Sequence, residues 1–136
     1  MKTYSDLQAI DTDLVIQLDL ELKGQPRGHV GINNRVQPLD TQIQVRMPLL
    51  DPLKIDIVLS DKDYNNPVET AIIIKRLSVD NIDIMGQYDY LAEYINDHGF
   101  KNPTNYLGFN GKWTLTIDRP FYHWLHLHSG QGWLLG

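Results

Sequence analysis

Between Leu14 and Lys23 the chain alternates without interruption. Leu14, Ile16, Leu18, Leu20 and Leu22 are apolar, and Val15, Gln17, Asp19, Glu21 and Lys23 lie between them. Successive strand side chains point to opposite faces, so this run predicts a strand with one dry face and one mostly wet face. The same period scatters apolar groups all round a helix, which excludes the helical reading. A half-wet strand needs a partner layer for its dry face, and this requirement shapes the rest of the reading.

The alternation recurs down the chain. Ile43, Val45 and Met47 alternate with Gln42, Gln44 and Arg46, and Leu53, Ile55, Ile57 and Leu59 alternate with Lys54, Asp56 and Ser60. Trp113, Leu115 and Ile117 alternate with Lys112, Thr114 and Thr116. Turn signals fall between these runs. Gly24-Gln25-Pro26-Arg27-Gly28 breaks the chain, Pro48 and Pro52 bracket a corner, and Asp61 to Pro67 is a polar loop. Asn33-Asn34 suits a two-residue hairpin turn between His29–Ile32 and Arg35–Gln37, with Pro38 marking its end or an edge. Asp80-Asn81 is a second turn of this kind.

Ala71-Ile72-Ile73-Ile74 is apolar throughout, as expected of a strand buried on both faces, and Leu77-Ser78-Val79 continues it. Tyr88, Leu91, Tyr94 and Ile95 have helical spacing, so Gln87 to His98 reads as either a short helix or a long ordered loop, with Gly99 able to end a helical turn. Phe121 to His128 reads as the last strand. About eight short strands with at most one short helix give an all-β fold. The expected architecture is a two-layer antiparallel β-sandwich, jelly-roll-like, formed by residues 1–136 as one domain.

Composition narrows the chemistry. The chain contains no cysteine, which removes disulfides, thiolate catalysis and Cys-ligated zinc. A net charge of −5 and a pI of about 5.4 do not suit a surface that neutralises phosphates, so no nucleic acid partner is expected. Neither a signal-peptide core nor a membrane-span run is present, so a soluble, non-exported product is expected.

Several motifs touch on chemistry. His123, His126 and His128 form H-x-x-H-x-H; on a strand, His126 and His128 would share a side and His123 would oppose them. Without a carboxylate in the run, the plain reading is a rim of side chains beside Tyr122 and Trp124, with no metal. Asp61, Asp63 and Asn65 open like a calcium loop, but Asn66 and Ile72 replace the Gly and Glu that an EF-hand requires. A looser calcium site there competes with a solvated turn. Ser5, Ser60, Ser78 and Ser129 lie in no nucleophile elbow, and phosphate-cradling glycine motifs are absent. Aspartates abound, but sequence does not fix the carboxylate separation that glycoside hydrolysis demands. No enzyme activity is expected.

Aromatic residues concentrate late in the chain: Tyr106, Phe109, Trp113, Phe121, Tyr122, Trp124 and Trp133. On a strand, Trp124 would lie out of phase with Phe121, so some of these rings are expected on the surface, where an interface or a ligand would cover them.

The segments Tyr106–Leu115, Pro120–His126 and Gly130–Trp133 resemble a pattern of small proteins of marine tailed phages, especially cyanophages. Leu20–Gly24, Val30–Asn34 and Thr70–Lys75 add to the likeness, which spans most of the chain. Gly24 to Asn33 also resembles β-sandwich modules that bind xylan with calcium. The phage resemblance implies a non-enzymatic virion protein, assembled in the host cytoplasm: a capsid decoration or a small neck, tail or fibre subunit. Its partners would be other virion proteins of capsid or tail, further copies of itself as a homo-oligomer, and host glycans. Tyr122, Trp124, His126, His128 and Trp133 are the expected contact residues. The alternative is a carbohydrate-binding module using the same aromatics, with calcium at Asp61, Asp63 and Asn65. A cupin-like metal enzyme on the histidines is the remaining rival.

Overall fold

A computed structural model describes residues 13–48, 52–99 and 104–129. The first alternating run is strand β1 (Asp13–Lys23). It is followed by β2 (Arg27–Ile32), β3 (Arg35–Pro38), β4 (Gln42–Pro48), β5 (Leu53–Ser60), β6 (Ala71–Val79) and β7 (Ile82–Asp83). A 3-10 turn at Asp89–Leu91 leads into β8 (Glu93–Asn96), β9 (Tyr106–Leu107) and β10 (Gly111–Ile117). The described chain ends in one helix, α1 (Phe121–Ser129).

The strands form two antiparallel sheets, so the fold is an all-β sandwich. One sheet runs β4-β1-β6-β7, with β9 also on β6; the other runs β3-β2-β5-β10-β8. β7 pairs with Ser78 and Val79, and β9 pairs with Ile72 and Ile73, so each holds one end of β6. The dry residues of both sheets meet in one core. Ile16, Leu18, Ile55, Ile57, Leu77 and Leu115 are all fully enclosed there. Each such side chain contributes about 1.5–3 kcal/mol by leaving water. At the open side of the sandwich, Arg35 on β3 donates through Nη1 to the Arg46 carbonyl on β4 at 3.2 Å, which ties the two layers together.

Both predicted two-residue turns form. Asn33 adopts φ 53°, and Asp80 and Asn81 adopt φ 51° and 65°. Two successive left-handed residues give the turn whose twist matches the flanking strands. β2 requires glycine at position 28 for a different reason: a Cβ there would lie 1.8 Å from the Val58 carbonyl oxygen on β5.

Three expectations need correction. β6 is buried on both faces at its ends, where Ala71 and Ser78 are enclosed on the outer side, but not at its centre. Ile72, Ile74, Leu77 and Val79 face the core, while Lys75 and Arg76 are both exposed. A β-bulge explains this change of phase: Asp19 pairs with Arg76 and Leu20 with Ile74, leaving Lys75 as the extra residue. The 87–98 segment is neither a helix nor one long loop; it ends in strand β8, where Tyr94 and Asn96 point inward and Glu93 and Ile95 outward. Finally, Phe121 to His128 is helical, not the last strand.

Candidate contact surface

The local sequence accounts for α1. Pro120 stands just before the first helical residue, where its missing N–H costs nothing, and its carbonyl accepts from Trp124 N–H at 3.0 Å. No residue from 121 to 128 is β-branched. Phe121, Trp124, Leu125 and His128 lie at i, i+3, i+4 and i+7, the spacing of one helical face.

That face seals one end of the core. Phe121 and Trp124 are 0% and 2% exposed, and their rings stack with centroids 6.1 Å apart. Tyr88 packs on the Trp124 ring at 5.5 Å and His128 at 5.1 Å. The phase conflict expected between Phe121 and Trp124 disappears, because three residues make nearly one helical turn. Trp113 is also in the core, whereas Tyr106 and Tyr122 are exposed and Phe109 is partly buried, so the late aromatics divide between interior and surface.

The opposite arc carries Tyr122, His123, His126 and Leu127, all exposed. Of the five expected contact residues, Tyr122 and His126 therefore face outward. Trp124 is interior, His128 is half-buried against it, and Trp133 lies outside the described residues. His126 and His128 do not share a side, since two helical positions are about 200° apart. Leu127 belongs to the exposed arc and was missed by the strand reading, which also set His123 on the side opposite His126; a helical wheel of 121–128 puts all three on one arc.

The Tyr122 hydroxyl donates to the Asp80 carboxylate in the β6–β7 turn, which holds its ring against the sandwich. Burial, with the Asp80 carboxylate beside it, pushes the Tyr122 phenol up to about 12. Just before α1, Arg119 grips Asp118 through Nε at 2.9 Å and Nη2 at 3.2 Å. This pairing holds the Asp118 carboxyl below the usual carboxylate range, with a smaller contribution from His128.

The candidate calcium loop is organised by hydrogen bonds. Asp63 Oδ1 accepts from Asn65 N–H at 2.9 Å, and Asp61 adopts φ 56° in the turn. Lys62 donates through Nζ to the Gly108 carbonyl at 2.6 Å, and its own N–H donates to Asn110 Oδ1 at 2.8 Å. The Tyr64 hydroxyl sits 2.7 Å from Asp97 Oδ2 and accepts from Asn110 N–H at 2.7 Å. Asp97 also contacts His98 Nδ1 at 2.8 Å, and the His98 ring stacks on Phe109 at 3.9 Å. The hydrogen bond from Tyr64 is the main cause that lowers the Asp97 carboxyl. These polar groups satisfy one another and fasten the loop to the sandwich end. Among the described residues, no three His, Cys, Asp or Glu side chains are grouped to hold a metal.

Among the described residues, no helix is long and apolar enough to cross a membrane. Comparison with protein-family models, curated protein sequences and solved structures finds no match to this chain.

Proposed function

We propose that this protein is a non-enzymatic structural subunit of a phage particle, a capsid decoration or a small neck, tail or fibre component that binds neighbouring virion proteins. The sequence likeness to marine phage proteins suggests the setting. The observation that supports a docking role is the outward arc of α1: Tyr122 and Leu127 remain 47% and 44% exposed on a helix whose other face is locked into the core. A rigid helix bearing exposed ring and aliphatic groups loses little conformational entropy on docking. In a symmetric particle the same modest patch is repeated, and its contacts reinforce one another. An enclosed Trp124 offers no stacking face to a sugar, which weakens the carbohydrate alternative at this surface.

The test is mass spectrometry and cryo-electron microscopy of particles from the phage whose genome carries this sequence. The expected result is the chain at fixed stoichiometry, with the α1 arc buried in a contact above about 1,000 Å² in total. Replacing Tyr122 and Leu127 together (Tyr122→Ala, Leu127→Ser) should lower particle occupancy while the circular dichroism spectrum is retained. Particles that lack the chain, or that carry it with this arc facing solvent, overturn the proposal.

A further inference from the structure

On the outer face of the β4-β1-β6 sheet, opposite the core, Gln42 and Gln44 of β4, Gln17 and Asp19 of β1 and Arg76 of β6 surround an open trough of about 440 Å³. The strand pairing arranges them in two rows across the sheet: Gln42, Asp19 and Arg76 in one, and Gln44, Gln17 and Ser78 in the next. Strands lie about 4.8 Å apart, so each row presents several polar ends within the reach of one ligand.

The second row is oriented. Ser78, fully buried, donates through Oγ to Gln17 Oε1 at 3.4 Å, and Gln17 Nε2 donates to Gln44 Oε1 at 3.4 Å. The direction of this relay leaves the Gln44 amide nitrogen as a donor at its end. The first row is open. Asp19 and Arg76 are cross-strand partners of opposite charge, yet no ion pair within 4 Å joins them among the described residues. The bulge at Lys75 shifts β6 by one residue beside this pair. An acceptor and a donor thus stand opposed with room between them.

We infer that this trough is a binding site for a neutral saccharide. A hydroxyl group both donates and accepts, so adjacent sugar hydroxyls can donate to Asp19, accept from Arg76 and do both with the carboxamides. The charges of Asp19 and Arg76 cancel. Two neighbouring cations on this face are paired, Lys75 with Glu21 at 3.4 Å and Lys23 with Glu69 at 3.8 Å, while Arg46, one row beyond Gln44, has no carboxylate within 4 Å among the described residues. Tyr106 stands on the same face, in the row of Glu21 and Ile73, and its ring lies over Gly108, where a Cβ would approach Cε1 to 2.7 Å. That ring leans toward Glu69, which accepts from its hydroxyl, and it does not line the trough. This site is on a different surface from α1 and does not depend on the assembly role proposed for that helix.

The experiment uses the full chain with a panel of neutral oligosaccharides (gluco-, xylo-, manno- and galacto-configured) and acidic ones (sialylated and sulfated), read by calorimetry and by two-dimensional amide NMR. Binding of a neutral member is expected, with shifts in the side-chain amides of Gln17, Gln42 and Gln44. Arg76→Gln and Gln44→Ala should each weaken that binding about fivefold or more, the effect of losing one hydrogen bond. Leu127→Ser should leave it unchanged. Both trough substitutions are at exposed positions, and an unaltered melting temperature verifies that they fold. Absence of binding across the neutral panel, binding confined to acidic glycans, or neutral binding indifferent to Arg76→Gln and Gln44→Ala each overturn the inference.

Discussion

Tyr94 on β8 and the backbone of Phe109 exchange two hydrogen bonds. The Tyr94 hydroxyl donates to the Phe109 carbonyl and accepts from the Phe109 N–H at 2.9 Å. One phenol thereby satisfies both polar groups of a residue in the link between β9 and β10. The ring itself is buried and pairs across the strands with Trp113. Replacing Tyr94 with phenylalanine keeps the packing but strands a donor and an acceptor. The expected cost is about 1–3 kcal/mol. At about 4 °C per kcal/mol for a chain of this size, a thermal melt will resolve it. An unchanged melting temperature would show that water replaces both bonds.

Alkali should weaken the fold through its tyrosines. The Glu69 carboxylate that accepts from Tyr106 pushes that phenol up to about 12, and burial together with Asp80 does the same to Tyr122. Burial also raises Tyr94, and raises Tyr64 with Asp97 adding to it. A group whose folded pKa lies above its unfolded value favours folding while protonated. The contribution is therefore complete below pH 10, the ordinary phenol value, and fades as pH climbs from 10 through about 12. Denaturant midpoints should hold steady from pH 8 to 9.5 and then decline. Tyr106→Phe and Tyr122→Phe should each make that decline shallower; a slope identical to that of the parent chain would count against these two contacts.

The two faces of α1 should respond differently to truncation. Trp124→Ala empties a ring site between Phe121 and Tyr88 and should cost about 3–5 kcal/mol. Leu127→Ser lies on the exposed arc and should shift stability by no more than about 0.5 kcal/mol. Equal losses from the two variants would contradict the helical assignment and favour the strand expected from sequence.

The bulge in β6 makes a deletion informative. Removing Lys75 restores an unbroken period of two: Ile72, Ile74, Leu77 and Val79 all keep facing the core, and Arg76 follows Ile74 directly, opposite Asp19 and Leu20. The cooperative transition should therefore survive this deletion, and its loss would show that the bulge itself is required. Lys75→Ala keeps the residue count and should retain the cooperative transition, with only its ion pair to Glu21 removed.

The sandwich was legible because most strands carry their burial pattern in the covalent order. β1, β4, β5 and β10 alternate cleanly, and Asn33 and Asp80-Asn81 mark their turns through left-handed backbone. The phase of β6 was not legible as read. Ile72-Ile73-Ile74 hides which residue faces outward, and the adjacent charges Lys75-Arg76 are the only local trace of the bulge. The contact surface was half legible: the expected residues lay on the right segment, but a strand period was assigned where a helical one applied, and this put Trp124 outside and left Leu127 unnoticed.

Sequence alone determined that this chain must fold as layered antiparallel sheets, because alternating side chains leave a dry face that only a second layer can cover. It also determined the cysteine-free, mildly acidic chemistry. Tertiary structure decided which aromatic rings are available to a partner, because burial depends on what the rest of the chain places against a ring. It also decided that Gln17, Gln42, Gln44, Asp19 and Arg76 share one trough. These residues are distant in the chain, and strand pairing alone sets them side by side.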